Sequence, residues 1–178
     1  MMQIAVVVLA AGSGSRFGHG KNKVWLTLNG RSIISLSLSN AAKSFVGCRI
    51  VLVINPADLT IANEVLRRET PDLEVEIISG GDSRHESEYN ALMHLEPAIE
   101  DGSINLVLIH DGARPLVTSK LFLHISVASL DHVGALPSIT LYLPQLDPVT
   151  RKVVVRVQPP HAFSSNEFPF AYRHDNNN

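Results

Sequence analysis

Short apolar runs alternate along this chain with amphipathic stretches, and that order predicts the fold. Ile4 to Leu9 is apolar and rich in β-branched residues, as expected of a strand covered on both faces. Val24 to Leu28 reads as a short extended piece closed by the Asn29-Gly30 turn. Ser32 is placed to cap a helix through about Phe45, with Ile33, Leu36 and Ala41 as its apolar positions. Arg49 to Ile54 is a second buried strand, stopped by Asn55-Pro56. Asp58 or Thr60 then opens a helix to about Glu69, with Ile61, Val65 and Leu66 inward. Leu73 to Ile78 alternates apolar and acidic residues, which suits a strand near an edge. A helix from the Gly80–Ser83 turn to about Leu95, a strand from Ile104 to Ile109, a helix from Thr118 or Ser119 to Leu130, and strands at 133–139 and 153–157 complete the series. This order predicts an α/β fold of three layers, α/β/α, with a mostly parallel, twisted, Rossmann-like sheet as the middle layer.

Composition narrows the picture. At 178 residues the chain is expected to be one domain, with an abbreviated arm near 141–152 and a polar tail at 172–178. Its formal net charge of −2 lacks the broad basic field of a nucleic-acid binder, so any polyanion site must be local. The single cysteine, Cys48, rules out an intramolecular disulfide and a cysteine-based zinc cluster. No apolar run reaches the length of a membrane span and no basic leader precedes the first strand, so a cytoplasmic protein is expected.

Ligands of open parallel sheets bind at the carboxyl ends of the strands, and three polar clusters fall there. The first is Ala10-Ala11-Gly12-Ser13-Gly14-Ser15, whose amides could cradle an anion beside Arg16, Lys21 and Lys23. Its spacing matches neither the dinucleotide fingerprint nor the P-loop, and a triphosphate is the natural ligand. The second is Gly80–Ser87, suited to clasp a base and ribose. The third is His110-Asp111-Gly112-Ala113-Arg114-Pro115, where Asp111 directly after a strand could hold Mg²⁺ against phosphate oxygens or form an Asx-turn. No histidine is assigned to metal, and Trp25 is expected in the core.

L-A-A-G-S-G-S-R-F-G, G-G-D-S-R-x-x-S, I-H-D-G-A-R-P and Val157–Phe163 occur in this order. Together they resemble the motifs of the 2-C-methyl-D-erythritol 4-phosphate cytidylyltransferases, with ribitol-5-phosphate cytidylyltransferase a near relative. The resemblance implies CTP and an alditol phosphate as substrates, Mg²⁺ as cofactor, and a homodimer. It assigns nucleotide binding to Leu9, Ala10, Ala11, Gly12, Gly81, Asp82, Ser87, Asp111 and Gly112, to which the reading of the residues adds Gly14 of the same loop and Asp111 as the metal ligand. Arg16 and Lys23 fall on its transition-state-stabilising positions, with Lys21 a rival for the lysine's role. Arg114 and Arg151 are assigned to the substrate phosphate, Arg151 serving the partner subunit.

There are departures from the family pattern. Asn22-Lys23-Val24 stands for the family's Pro-Lys-Gln, and Pro159-Pro160-His161 for its Thr-Pro-Gln. The arm is cut down to Leu141–Thr150, and the family's later lysine has no counterpart. The Asp-Asn-Asn-Asn ending reads as a premature stop or altered frame. The chain is therefore expected to fold and bind CTP while turning over poorly and dimerising weakly. A ribitol-5-phosphate acceptor and a CTP-binding remnant without turnover remain the alternatives.

Overall fold

The computed structural model describes residues 3–12, 22–130, 132, 134–139, 145–146, 153–154, 156–157 and 159–164. Its centre is a six-stranded sheet. Strand β1 (Ile4–Ala10) lies in the middle, paired in parallel with β4 (Arg49–Ile54) on one side and β6 (Leu106–Asp111) on the other. Strand β5 (Glu76–Ser79) extends the sheet beyond β4 and forms one edge, as its alternating sequence predicts. Two short strands, β2 (Thr27–Leu28) and β3 (Arg31–Ser32), form a separate hairpin.

Strand residues alternate between two cores. Val6, Val8, Leu52, Ile54 and Leu108 face Ile34 and Leu38 of α1 (Ile33–Ser44), Val65 of α2 (Leu59–Glu69) and Phe122 of α4 (Ser119–Ala128). Val7, Leu9, Val53, Val107 and Ile109 face Ala91, Leu92 and Leu95 of α3 (Arg84–Glu100). The strands are continuous apolar runs because both faces are covered. Among the described residues no helix is long and apolar enough to cross a membrane.

Several boundaries differ from expectation. Helix α1 buries Ile34, Leu38 and Ala41 rather than the face of Ile33 and Leu36, because Ser35 and Ser37 turn inward as polar anchors. Helix α2 buries Ala62 and Val65 and leaves Ile61 exposed. Helix α3 runs past Leu95 and through Pro97 to Glu100, with Pro97 in its last turn. Lys23–Trp25 is a single 3-10 turn, not extended chain. The third strand starts at Glu76, three residues later than expected. The run at 133–139 is split around Leu136-Pro137 into β7 (Gly134–Ala135) and β8 (Ser138–Ile139). The run at 153–157 gives β10 (Val153–Val154), paired with β9 (Gln145–Leu146), and β11 (Arg156–Val157), paired with β8. One strand was not foreseen: β12 (His161–Ser164) inserts antiparallel between β6 and β7.

A buried carboxylate ties the helical layer together. One oxygen of Glu69, at the end of α2, accepts from the Ser32 amide (2.7 Å), the Ser32 hydroxyl (2.8 Å) and the Ser35 hydroxyl (2.7 Å) at the start of α1. Arg68 donates to the other oxygen at 2.7 Å. Burial alone would raise this carboxyl, but the hydrogen bonds outweigh it and hold the pKa at about 2. A depressed folded-state pKa gives stability that is full above the ordinary glutamate value, about 4.3, and lost as the pH falls towards 2. We expect Glu69→Gln to lower neutral-pH stability by about 2 kcal/mol, with wild type and variant converging only as the pH falls through about 2 in urea melts.

Candidate nucleotide site

The carboxyl edge of the sheet brings together the described parts of the polar clusters. In register, Leu9 lies opposite Asp111 and Ala10 opposite Ile54, and Ile54 opposite Ser79. The ends of β1, β6, β4 and β5 therefore present Ala11-Gly12, Asp111-Gly112, Asn55 and Gly80-Gly81 side by side.

Gly112 sits where no side chain fits. Its amide donates to the Leu9 carbonyl at 2.9 Å, and its carbonyl accepts from Ser37 at 2.9 Å. A Cβ there would lie 2.8 Å from Ile34 Cδ1 and 3.0 Å from the Leu9 carbonyl oxygen. The close approach of β6 to β1 fixes Asp111 beside the opening loop. Asp111 Oδ1 accepts from the Ala113 amide at 3.1 Å and Oδ2 from Arg114 Nε at 3.3 Å. The Asx-turn is thus present, and the carboxylate is still partly exposed, so each oxygen keeps acceptor capacity towards solvent.

The second cluster is built around Ser87, which is buried in the first turns of α3. Its hydroxyl accepts from the Gly81 amide at 3.1 Å and donates to the Ser83 carbonyl at 2.9 Å. Ser83 caps the helix through the Glu86 amide (3.0 Å), and Glu86 reaches back to the Asp82 amide (2.8 Å). Gly80 binds this loop to the first one: a Cβ on it would lie 2.4 Å from Ala11 Cβ and 2.9 Å from Ser87 Oγ. Ala11 Cβ cannot swing away and turning Ser87 Oγ aside would break its bonds to Gly81 and Ser83, so we expect Gly80→Ala to cost about 1–3 kcal/mol in stability. It should also weaken nucleotide binding by parting Ala11 from Ser87, which parallel urea melts and calorimetric titrations would check.

His110 points to the opposite face from Asp111. It is fully buried with its ring 5.3 Å from that of Phe122, and its Nε2 lies 3.2 Å from the Arg114 carbonyl. Burial pushes its pKa down to about 4, so the ring is neutral at physiological pH. Among the described residues no group of three His, Cys, Asp or Glu side chains could hold a metal ion without help from a ligand.

Lys23 is exposed on the 3-10 turn that follows the opening loop. Sequence reasoning missed the residues that hold this turn. Asn22 Nδ2 donates to the Ala10 carbonyl at 2.6 Å, and the Trp25 indole donates to Asp58 at 2.9 Å. Trp25 does pack against the core, but its polar edge is engaged as well. The substitution of Asn22 for the family's proline was the one available signal. Gly14, Arg16, Lys21 and Arg151 lie outside the described residues.

The family model for IspD, 2-C-methyl-D-erythritol 4-phosphate cytidylyltransferase, matches residues 4–178. The chain is similar to the protein of that name from Bacillus mycoides, with 36% identity over 124 residues, 70% of this chain and 52% of that protein. To the Clostridium beijerinckii protein of the same name it is 31% identical over 173 residues, 92% of this chain and 74% of that protein. The match to the Bacillus relative spans about half of that protein's length. Among solved structures, 4-diphosphocytidyl-2C-methyl-D-erythritol synthase from Anaerococcus prevotii shares the fold, with a TM-score of 0.80 at 23% identity, covering 99% of this chain and 76% of that one. With the described parts of three motifs meeting at one sheet edge and the family match running along nearly the whole chain, this protein belongs to the 2-C-methyl-D-erythritol 4-phosphate cytidylyltransferase family.

Proposed function

We propose that the chain transfers a cytidylyl group from CTP to 2-C-methyl-D-erythritol 4-phosphate, giving 4-diphosphocytidyl-2-C-methyl-D-erythritol and pyrophosphate in non-mevalonate isoprenoid synthesis. The observation that carries this reading is the Gly112–Leu9 contact, which sets Asp111 beside the opening loop in a chain of this family. An oxygen of the acceptor phosphate attacks the α-phosphorus of CTP, the bond to the bridging oxygen breaks, and pyrophosphate departs. The acceptor is already anionic, so no general base is needed, and the chain's task is positioning and charge stabilisation.

The backbone of Leu9 to Gly12 and Gly14 lines the phosphates in this reading, and Gly81, Asp82 and Ser87 hold base and ribose. Arg16 and Lys23 balance the charge that builds on the reacting phosphate, while Arg114 and, across a homodimer, Arg151 receive the acceptor. The donor set suits Mg²⁺: one partly exposed carboxylate, Asp111, with phosphate oxygens completing the shell, as is usual for this ion. Bound there, the ion would neutralise charge on the triphosphate. A cytoplasmic setting, where CTP is available, fits these roles.

The test is pyrophosphate release by the full chain with CTP and Mg²⁺, run with methylerythritol phosphate and ribitol 5-phosphate in turn. Turnover with the first acceptor is expected. Turnover with the second alone reassigns the substrate, and CTP binding without turnover leaves a nucleotide-binding protein. Sedimentation of the same sample tests the homodimer.

A further inference from the structure

We infer that Asp58 is a positioning residue, holding Lys23 at the carboxyl end of β1 through Trp25 and Asn22. This rests on the role given to Lys23 above. Asp58 ends the 3-10 turn Pro56–Asp58 after β4 and stands at the N-cap of α2. An aspartate there ordinarily accepts from its own helix's amides. This one makes no such bond. Its Oδ2 instead accepts from Trp25 Nε1 at 2.9 Å and from Asn22 Nδ2 at 3.4 Å.

Those two donors bracket Lys23. Asn22 fastens the start of the turn to β1 through the Ala10 carbonyl (2.6 Å), and its Oδ1 accepts from the Val24 amide at 3.3 Å. Inside the turn the Asn22 carbonyl accepts from the Trp25 amide (3.2 Å) and the Lys23 carbonyl from the Leu26 amide (3.1 Å). Val24 is buried in the core beneath them. The Lys23 backbone is therefore held on both sides and tied to two strand ends, β1 directly and β4 through Asp58, while its side chain stays exposed. Such an arrangement sets where the ammonium group can reach without contributing charge of its own to the nucleotide. Where the family pattern has a proline, this chain obtains the same rigidity from hydrogen bonds.

Three variants separate this role from a merely structural one. Asp58→Ala removes the acceptor, Trp25→Phe removes the indole donor together with one ring of the side chain, and Asp58→Asn keeps an oxygen where Oδ2 stands. Because Asp58 does not cap α2 with its side chain, melting temperatures should change little. Misplacing a catalytic group by about 1 Å can cost around a hundredfold in rate, so Asp58→Ala and Trp25→Phe should lower kcat roughly tenfold or more. CTP affinity by calorimetry should stay within about twofold, and Asp58→Asn should retain most of the rate. Trp25 is the only tryptophan, so its emission reports the clamp without any ligand. Asp58→Ala should shift that emission to the red and speed amide exchange at Val24, Trp25 and Leu26.

Unchanged emission and exchange in Asp58→Ala would overturn the clamp. Unchanged kcat despite loosened exchange, or kcat and CTP affinity falling together with the melting temperature, would overturn the positioning role. Wild-type protein that turns over neither acceptor removes the function assigned to Lys23, and the positioning role with it. In that event the emission and exchange data still show whether the clamp exists.

Discussion

Asp111→Asn is expected to leave the fold intact and to weaken CTP binding in Mg²⁺ by roughly ten- to a hundredfold. The asparagine oxygen can still accept from the Ala113 amide, so the turn after β6 survives. What is lost is the negative charge facing the edge of the sheet. A lost charged contact costs about 1.5–3 kcal/mol, which gives the stated range at 1.4 kcal/mol per factor of ten. Turnover should fall at least as far, because a displaced triphosphate no longer presents its α-phosphorus in line. The diagnostic comparison is calorimetry with and without Mg²⁺. Wild type should lose most of its CTP affinity when the ion is removed, whereas Asp111→Asn should be nearly indifferent. Equal sensitivity of both proteins to Mg²⁺ would mean that the ion is held elsewhere.

The sheet was legible because its strands are covered on both faces. Ile4 to Ala10, Arg49 to Ile54 and Leu106 to Asp111 are nearly unbroken apolar runs, and such runs can satisfy their surroundings only in the middle of a layered fold. The order of strands and helices then leaves few topologies. Strand β12 was hidden for the opposite reason. Its four residues, His161 to Ser164, carry no period, and what fixes them is pairing with Leu106–Ile109, more than fifty residues earlier. The inner face of α1 was misread because serine counts as polar in a periodicity argument. Ser35 and Ser37 are buried all the same, since Glu69 and the Gly112 carbonyl complete their hydrogen bonds.

The site divides in the same way. Glycines at strand ends signal close backbone approach, and Gly80 and Gly112 stand where an added Cβ would crowd its neighbours. The supporting contacts have no local signature. Ser37 reaches Gly112 across 75 residues, and Trp25 reaches Asp58 across 33. Which side chain anchors a loop is decided by tertiary geometry, so Trp25 could be placed in the core from sequence while its hydrogen bond could not.

Lys23→Ala is expected to lower kcat by about a hundred- to a thousandfold with little change in CTP affinity, and Lys21→Ala to do the reverse. Removing one preorganised group aimed at developing charge typically has an effect of about that size on kcat. What favours Lys23 is how the chain is held around it. Lys23 lies between Asn22, bonded to the end of β1, and Val24, buried in the core, so its backbone is fixed before substrate arrives. A cation in a fixed place can be matched to the transition state, in which charge spreads over the reacting phosphate. A contact made equally with bound CTP and with the transition state raises affinity but not the chemical rate. Lys21, two positions earlier in the sequence, is the expected source of a contact of that second kind. Single-turnover rates with CTP saturating, alongside calorimetric affinities for both variants, separate the two roles. If Lys21→Ala loses the rate and Lys23→Ala the affinity, the two roles exchange, and the clamp around Lys23 then orders a binding residue instead of a catalytic one.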